Sequence, residues 1–310
     1  MKTKRVSAFA PASIGNVSVG FDCLGLALEK PGDIVVIEEN DKPGVELIDL
    51  QGDNGQLPMD ADKNVVGVVV KAMLRALDRD EAIAIRLIKG LPLQSGMGSS
   101  ASSSVAAAVA ANAYLGKPFT KKELIPFAME GERVACGAAH ADNVAPALLG
   151  GITLIRSNDP LDIVSLPYLK NLYLAVIHPQ VAVATKDART VLPETIDRDT
   201  AVKQSAHLAS FISALYQKDW KLLSRSMVDL IAEPFRKNLL LHFDEVKARA
   251  MDAGALTCGI SGSGPTMFAL CKGKTAAEKV AVNMGKVYAD KLIENEIYVS
   301  KVNKRGAEIL

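Results

Sequence analysis

Residues 90–105 run Gly-Leu-Pro-Leu-Gln-Ser-Gly-Met-Gly-Ser-Ser-Ala-Ser-Ser-Ser-Val, and the reading of this stretch decides the fold. It lies between two segments of opposite period. Upstream, Glu81 to Lys89 alternates Ile83, Ile85 and Leu87 with more polar positions, as a strand does. Downstream, the alanine-rich Val105 to Leu115 reads as a helix that stops at Gly116 and Pro118. The central pattern is Pro92-x-x-x-Gly96-x-Gly98-Ser99-Ser100-Ala101. Glycines let successive backbone N–H groups turn toward one point, and the helix N-terminus adds partial positive charge. A phosphate group suits that arrangement. A serine-rich helix cap would account for Ser99 or Ser100, but not for both glycines and Pro92.

Two familiar phosphate loops can be tested against the chain. A Walker loop needs a glycine five residues before Gly273-Lys274-Thr275, and that position is Phe268. The dinucleotide fingerprint is met by Gly96, Gly98 and Ala101, but it also needs an early position in the chain and an acid at the end of the next strand. Here the nearest acid, Glu123, opens a helix instead. The first pattern fails and the second is weak.

Outward from the loop, 310 residues favour two domains, and 49% hydrophobic with 23% charged residues is globular usage. Lys and Arg number 36 against 35 Asp and Glu, a net charge of +1, so nothing draws the chain to nucleic acid or to an anionic membrane. The longest basic cluster is Lys301 to Arg305. No apolar run approaches the ~20 residues of a membrane span. The N-terminal basic residues are followed by a stretch broken at Pro11, Ser13, Gly15 and Asn16, which argues against a signal peptide. Cys23, Cys136, Cys258 and Cys271 are scattered, as are the four histidines, which points away from zinc and disulfides and toward a cytoplasmic protein.

The first half alternates strands (Asp33 to Glu39, Val45 to Leu50) with helices (Asn64 to Asp78, and Thr120 to about Cys136 from a capping box at Thr120 and Glu123). A short helix is expected from Asn143 to Leu149 and a strand from Ile152 to Ile155. Composition turns polar over Ser157 to Asp162, so the domain boundary is placed there, giving domains 1–160 and 161–310. Beyond it come a strand at Leu172 to His178 and two helices across Asp199 to Leu230. A helix at Phe243 to Ala253, strands at Leu256 to Ile260 and Thr266 to Cys271, a helix from Ala276 and a strand at Glu296 to Val302 follow. Without its insert this second half is strand, helix, strand, strand, helix, strand, the ferredoxin-like split β-α-β plan. The fold class is α+β.

Three further segments carry chemistry. Ala10 to Leu28 reads as a tight loop bearing Asn16, Ser18 and Asp22, structural or functional. Glu130 to Pro146 holds Glu132 within a helix and His140, Asp142 and Asn143 at a helix-to-loop break, where Asp142 could act as a helix cap. Gly254 to Leu270 joins two strands through Gly262 and Gly264, a hairpin longer and more polar than a tight turn needs.

Taken with the serine loop, these segments resemble the GHMP kinase superfamily, and within it the homoserine kinase family closely. The loop at 92–101 and Gly-Ser-Gly-Pro-Thr at 262–266 carry the superfamily pattern. Ala-Pro-Ala-Ser…Asn…Gly-Phe-Asp and His-x-Asp-Asn-Val-Ala-Pro at 140–146 carry the narrower one. One departure is Met97, where the family usually has leucine of similar size.

The resemblance implies a two-domain GHMP kinase fold that uses ATP and Mg²⁺ to phosphorylate the side-chain hydroxyl of L-homoserine, on the route to threonine. It implies nucleotide binding by Asn64 and by Pro92, Leu93, Gln94, Ser95, Gly96, Met97, Gly98, Ser99, Ser100, Ala101 and Ser102. It implies Mg²⁺ binding by Ser100 and Glu132. An amino-acid substrate brings an ammonium and a carboxylate, so it needs acceptors and forked donors. Asn16, Asp22, His140, Asp142, Asn143, Arg189 and Arg236 take that role in the resemblance, with the arginines on the carboxylate. Asp22, Asp142 and Thr185 are its catalytic candidates, and catalysis would rest mainly on positioning and charge neutralisation. A GHMP kinase for a mevalonate-like or sugar substrate is the nearest alternative, and the paired arginines with Asp22 argue against it. A nucleotide-binding sensor without catalysis is another; Ser100 together with Glu132 argues against it. A homodimer is left open.

Overall fold

Small side chains govern how the first half packs. The computed structural model describes residues 4–137, 140–181 and 185–310, the side chains of 185–187 excepted. β1 (Arg5–Gly15) and β2 (Leu24–Glu39) pair antiparallel from Arg5 opposite Glu38 to Gly15 opposite Gly25. The Ala10 to Leu28 stretch, expected to be a loop, is therefore strand at both ends, and only the turn between them is irregular. Its alanines, Ala10, Ala12 and Ala27, are fully buried. Such small side chains let a helix lie close on the strands, and they hide a strand's usual branched-residue signature.

β3 (Val45–Gln51), α1 (Val65–Ala76) and β4 (Ile83–Ile88) follow, with β3 parallel to β4 and β4 antiparallel to β2. The helix that lies on the strands is α2 (Ser99–Tyr114). It starts six residues before the expected Val105, because Ser99, Ser102 and Ser103 have buried partners that replace water. The Glu123 carboxylate accepts from the N–H and hydroxyl of Thr120 (both 2.7 Å), the expected box ahead of α3 (Ile125–Cys136). α4 (Ala141–Leu149) leads into the hairpin β5 (Ile152–Asn158) and β6 (Leu161–Leu166). The division expected at residue 160/161 falls in the turn of this hairpin, and β6 continues the first sheet.

The second half is β7 (Leu172–Pro179), α5 (Thr185–Thr190), α6 (Arg198–Gln217), α7 (Trp220–Ser226), α8 (Glu233–Arg236), α9 (Phe243–Asp252), β8 (Thr257–Ile260), β9 (Met267–Lys272), α10 (Lys274–Ala289) and β10 (Asn295–Lys301). Its sheet runs β10-β7-β9-β8, all neighbours antiparallel, as the split β-α-β plan requires. The final strand, β11 (Glu308–Ile309), returns to the first sheet beside β1.

Strand alternation divides the second sheet between two cores. Ala175, Ile177, Met267 and Ala269 face Phe243, Val246, Val280 and Met284 of α9 and α10. Leu174, Val176, Phe268 and Leu270 face the other way, into one cluster with Ile14, Leu24, Leu26 and Met97 of the first half and Phe211 of α6. The halves thus share a core, which fixes the walls of the cleft between them. Among the described residues no helix is long and apolar enough to cross a membrane.

Candidate active site

The glycine-serine loop ends at Gly98, which caps α2 in the left-handed region at φ 66°. A side chain there would meet Ser13 Oγ at 2.2 Å and Asn143 Oδ1 at 2.9 Å, so only glycine fits. Ser13 in turn donates to Met97 O through its N–H (3.0 Å) and to Asn143 Oδ1 through its hydroxyl (2.9 Å), tying the loop to β1 and α4. The Gly262–Gly264 turn supports the loop from the second half. Ser261 Oγ donates to Gly96 O (2.7 Å) and Thr266 N–H to Ser95 O (3.2 Å). The polar length of that turn, surplus for a hairpin, is used in these contacts.

A buried ion pair that the motif reading missed sits under the first turn of α2. Lys89 and Asp33 side chains are 1% and 0% exposed and hydrogen-bonded to each other. Lys89 Nζ also donates to Ser99 O (3.0 Å), Ser99 Oγ (2.8 Å) and Ser103 Oγ (2.9 Å). Asp33 accepts from Ser103 Oγ (2.6 Å) and from the N–H groups of Gly90 (2.9 Å) and Leu91 (3.2 Å). Every one of these partners lies on the loop or its helix. The sequence carried only a weak signal: Asp33 precedes the apolar run Ile34–Ile37 in β2 and Lys89 follows the last residue of β4, positions where a charge ordinarily marks an exposed strand end.

The loop opens on a cleft of about 360 Å³ lined from both halves. Of the nucleotide candidates, Asn64, Leu93, Gln94, Ser95, Gly96, Gly98, Ser99 and Ser100 line it. The Asn64 side chain caps α1, donating to Pro58 O (2.8 Å) and accepting from Val66 N–H (3.2 Å), which fixes its orientation in the cleft wall. Four candidates do not line the cleft. Pro92 is half-buried, Met97 and Ala101 are core residues, and Ser102 Oγ is occupied by Ala10 O (2.7 Å) and Asp33 N–H (3.1 Å).

Glu132 projects from α3 into the cleft beside Ser100. Burial is the main cause that pushes its carboxyl up to about 7, with the nearby Asp142 charge adding and a hydrogen bond from Ser100 opposing. Its Oε1 is buried without a hydrogen-bond partner. A buried carboxylate oxygen in this condition, next to a hydroxyl and open to a phosphate loop, has the chemistry of a hard-cation ligand.

The same cleft gathers Asn16, Asp22, His140, Asp142, Asn143, Arg189 and Arg236 from sequence positions far apart. Arg189 NH1 and NH2 each sit 3.2 Å from one Asp22 oxygen, a forked pair. Arg236, 4% exposed, donates to Ala188 O (2.7 Å) and Gly262 O (3.0 Å) and stacks 5.3 Å from the Phe21 ring. Asn16 Nδ2 donates to Gly262 O (3.1 Å), and its Oδ1 accepts from Asp22 N–H (2.9 Å), so its amide orients Asp22. Asp142 lies in the first turn of α4 without capping it. Burial first, then the charge of Asp22, pushes its carboxyl up to about 7, while Arg189 pulls the other way. Burial also lowers the His140 pKa, and its Nε2 has no hydrogen-bond partner. The Thr185 side chain lies outside the described residues.

Chemically, the cleft brings a loop with the geometry to hold an anion and a carboxylate–hydroxyl pair together with both acidic and guanidinium groups. Residues 64–151 match the family model for the N-terminal domain of GHMP kinases and residues 211–290 match the one for their C-terminal domain. The chain is 44% identical to a homoserine kinase of Chlorobium phaeobacteroides (strain BS1), over 99% of this chain and 100% of that one. It superposes at TM-score 0.97 on the crystal structure of homoserine kinase from Cytophaga hutchinsonii, at 48% identity and covering 100% and 98% of the two chains. The structure of L. major mevalonate kinase, at 16% identity and TM-score 0.72 over 95% of each chain, shares the fold.

Proposed function

This chain belongs to the homoserine kinases of the GHMP kinase family, and from that premise we propose how its cleft performs the reaction. The activity is transfer of the ATP γ-phosphoryl group to the side-chain hydroxyl of L-homoserine. The observation that carries the residue assignment is the pairing of Asp22 with Arg189 in the same cleft as the glycine-serine loop. In the ligand-free protein these groups neutralise each other, and a zwitterion offers each of them a replacement partner. The ammonium takes Asp22, the carboxylate takes Arg189 and Arg236, and the hydroxyl is left facing the loop between His140, Asp142 and Asn143. A sugar brings neither charge, and a mevalonate-like acceptor brings a carboxylate for the arginines but no ammonium for Asp22, so neither can replace both partners.

The loop amides from Ser95 to Ser100 and the α2 N-terminus hold the nucleotide phosphates. Ser100 and Glu132 fit Mg²⁺, which when bound neutralises charge on the transferring phosphoryl group. Lys89 keeps the first turn of α2 fixed beneath them. Phosphoryl transfer asks little covalent work of the protein, so holding the hydroxyl in line supplies most of the acceleration. Asp142, with its carboxyl near neutrality, is the group that can accept the hydroxyl proton as the new bond forms. We place the reaction in the cytoplasm, in keeping with cysteines that are few and scattered along the chain.

The test is ADP release in a coupled assay with homoserine, mevalonate and galactose. Homoserine alone should support turnover, and equal rates with mevalonate would sink the zwitterion reading. Glu132→Gln should raise the Mg²⁺ concentration needed for half-maximal rate; an unchanged requirement removes Glu132 from the metal site.

A further inference from the structure

The segment that carries Asp22 is strained. Asn16, Val17 and Ser18 are consecutive non-glycine residues at positive φ (66°, 47° and 55°), and Asp22 follows at 55°. Left-handed backbone is costly for L-residues and most of all for a β-branched one such as Val17, so it persists only where the surroundings over-determine it. Packing does this on one side, where Val17 and Val19 are buried in the shared core. On the other side lies a second cavity, about 230 Å³, bounded by Val19, Phe21, Cys23, Leu208 and Ile231. Beside these side chains a polar tie holds the backbone of the segment.

That tie is Gln204, a buried residue of α6 that appears in no motif. Its amide donates to Val19 O (2.6 Å) and to Val228 O (3.3 Å), and its oxygen accepts from Leu230 N–H (2.8 Å). Val19 stands three residues before Asp22. Leu230 adjoins Asp229, whose carboxylate accepts from the N–H groups of Ile231 (2.8 Å), Ala232 (2.8 Å) and Glu233 (3.0 Å) to start the turn ending at Arg236. One amide therefore joins the segment bearing the acidic partner to the segment bearing the buried guanidinium.

We infer that Gln204 is a positioning residue for the acceptor: it fixes the spacing between Asp22 and Arg236 and so matches the cleft to the two charged ends of one small zwitterion. This rests on the zwitterion reading above. No substrate contact is assigned to Gln204; it acts through Val19 and Leu230. Gln204 bonds none of the groups that hold the nucleotide loop directly, Ser13, Ser261 and Lys89, so the larger effect falls on the acceptor residues.

Gln204→Leu removes all three hydrogen bonds at similar volume. The homoserine KM should rise about tenfold or more while the ATP KM stays within about twofold, as expected of a displaced binding group far from the other substrate. On an Asp22→Asn background the same change should cost less, because part of what it misplaces is already gone. Gln204→Met, which keeps the reach without the hydrogen bonds, serves if the leucine variant does not fold. An unchanged homoserine KM, or equal rises in both constants, would show Gln204 to be a packing residue only. If the wild type forms no homoserine-dependent ADP, the zwitterion reading itself fails; if it does and Gln204→Leu keeps its homoserine KM, only this inference fails.

Discussion

Two ion pairs flank the cleft, and they are built in opposite ways. Lys89 and Asp33 are sealed beneath the phosphate loop, with further hydrogen bonds to backbone and serine groups on nearly every side. Arg189 and Asp22 are 45% and 33% exposed, and their guanidinium–carboxylate fork leaves both open to solvent and ligand. Removing one partner of the first pair leaves a charge in the interior, whereas the second can be opened at little cost. The buried pair therefore acts as scaffold for a site that must not move. The exposed pair has the solvent access that the proposed exchange with a ligand requires.

The largest effect is expected where the scaffold meets the loop. Gly98→Val would need both left-handed backbone and space already filled by Ser13 and Asn143. ATP affinity by calorimetry should fall by on the order of 10² or more, since the loop amides lose their common focus. Unchanged affinity would place the phosphates elsewhere. Next come the pairs themselves, compared directly by chemical denaturation. Lys89→Met should destabilise by about 3–5 kcal/mol by stranding Asp33. Arg189→Gln should change stability by ~1 kcal/mol at most while harming homoserine use. Equal stability losses from the two variants would erase the contrast.

The same contrast explains what could be read in the sequence. The phosphate loop is contiguous, from Pro92 to Ser102, so its glycine spacing alone suggested an anion site, and α2 followed from its alanines. The second sheet was legible because strand, turn and helix signals alternate cleanly after Leu172. The acceptor wall is assembled from β1–β2, α4, α5 and α8, and no local pattern joins Asp22 to Arg189 across 167 positions. Resemblance supplied those residues; periodicity could not. Asp33, Lys89 and Gln204 were passed over because each works through backbone groups that only the folded chain brings near. The strand ends in Ala10 to Leu28 were misread because alanine and glycine, needed for close helix packing, look like loop.

A smaller effect concerns pH. The carboxyls of Asp142 and Glu132 lie at about 7 in the folded protein, against ordinary values of 3.8 and 4.5. Between those limits the folded state binds more protons than the unfolded one, so their contribution to stability falls as pH rises toward 7. The metal-free, nucleotide-free protein should gain melting temperature from this pair as pH drops from about 7 toward 5. Asp142→Asn should flatten that slope. A slope of the same size in the variant, measured by calorimetry, would contradict the buried-acid account of Asp142.

In the proposed reaction the cleft recognises both charged ends of its acceptor, with Arg236 on the carboxylate. This recognition is tested by kcat/KM for homoserine and for 3-amino-1-propanol, which lacks the carboxylate, on the wild type and on Arg236→Lys. The variant keeps the charge and loses the fork. Homoserine should lose on the order of 10² in kcat/KM, while the amino alcohol, poor from the outset, should lose far less, since a missing carboxylate cannot be missed twice. Equal losses for the two compounds would make Arg236 a structural residue, bonded to Ala188 and Gly262 for their sake alone, and would contradict the account.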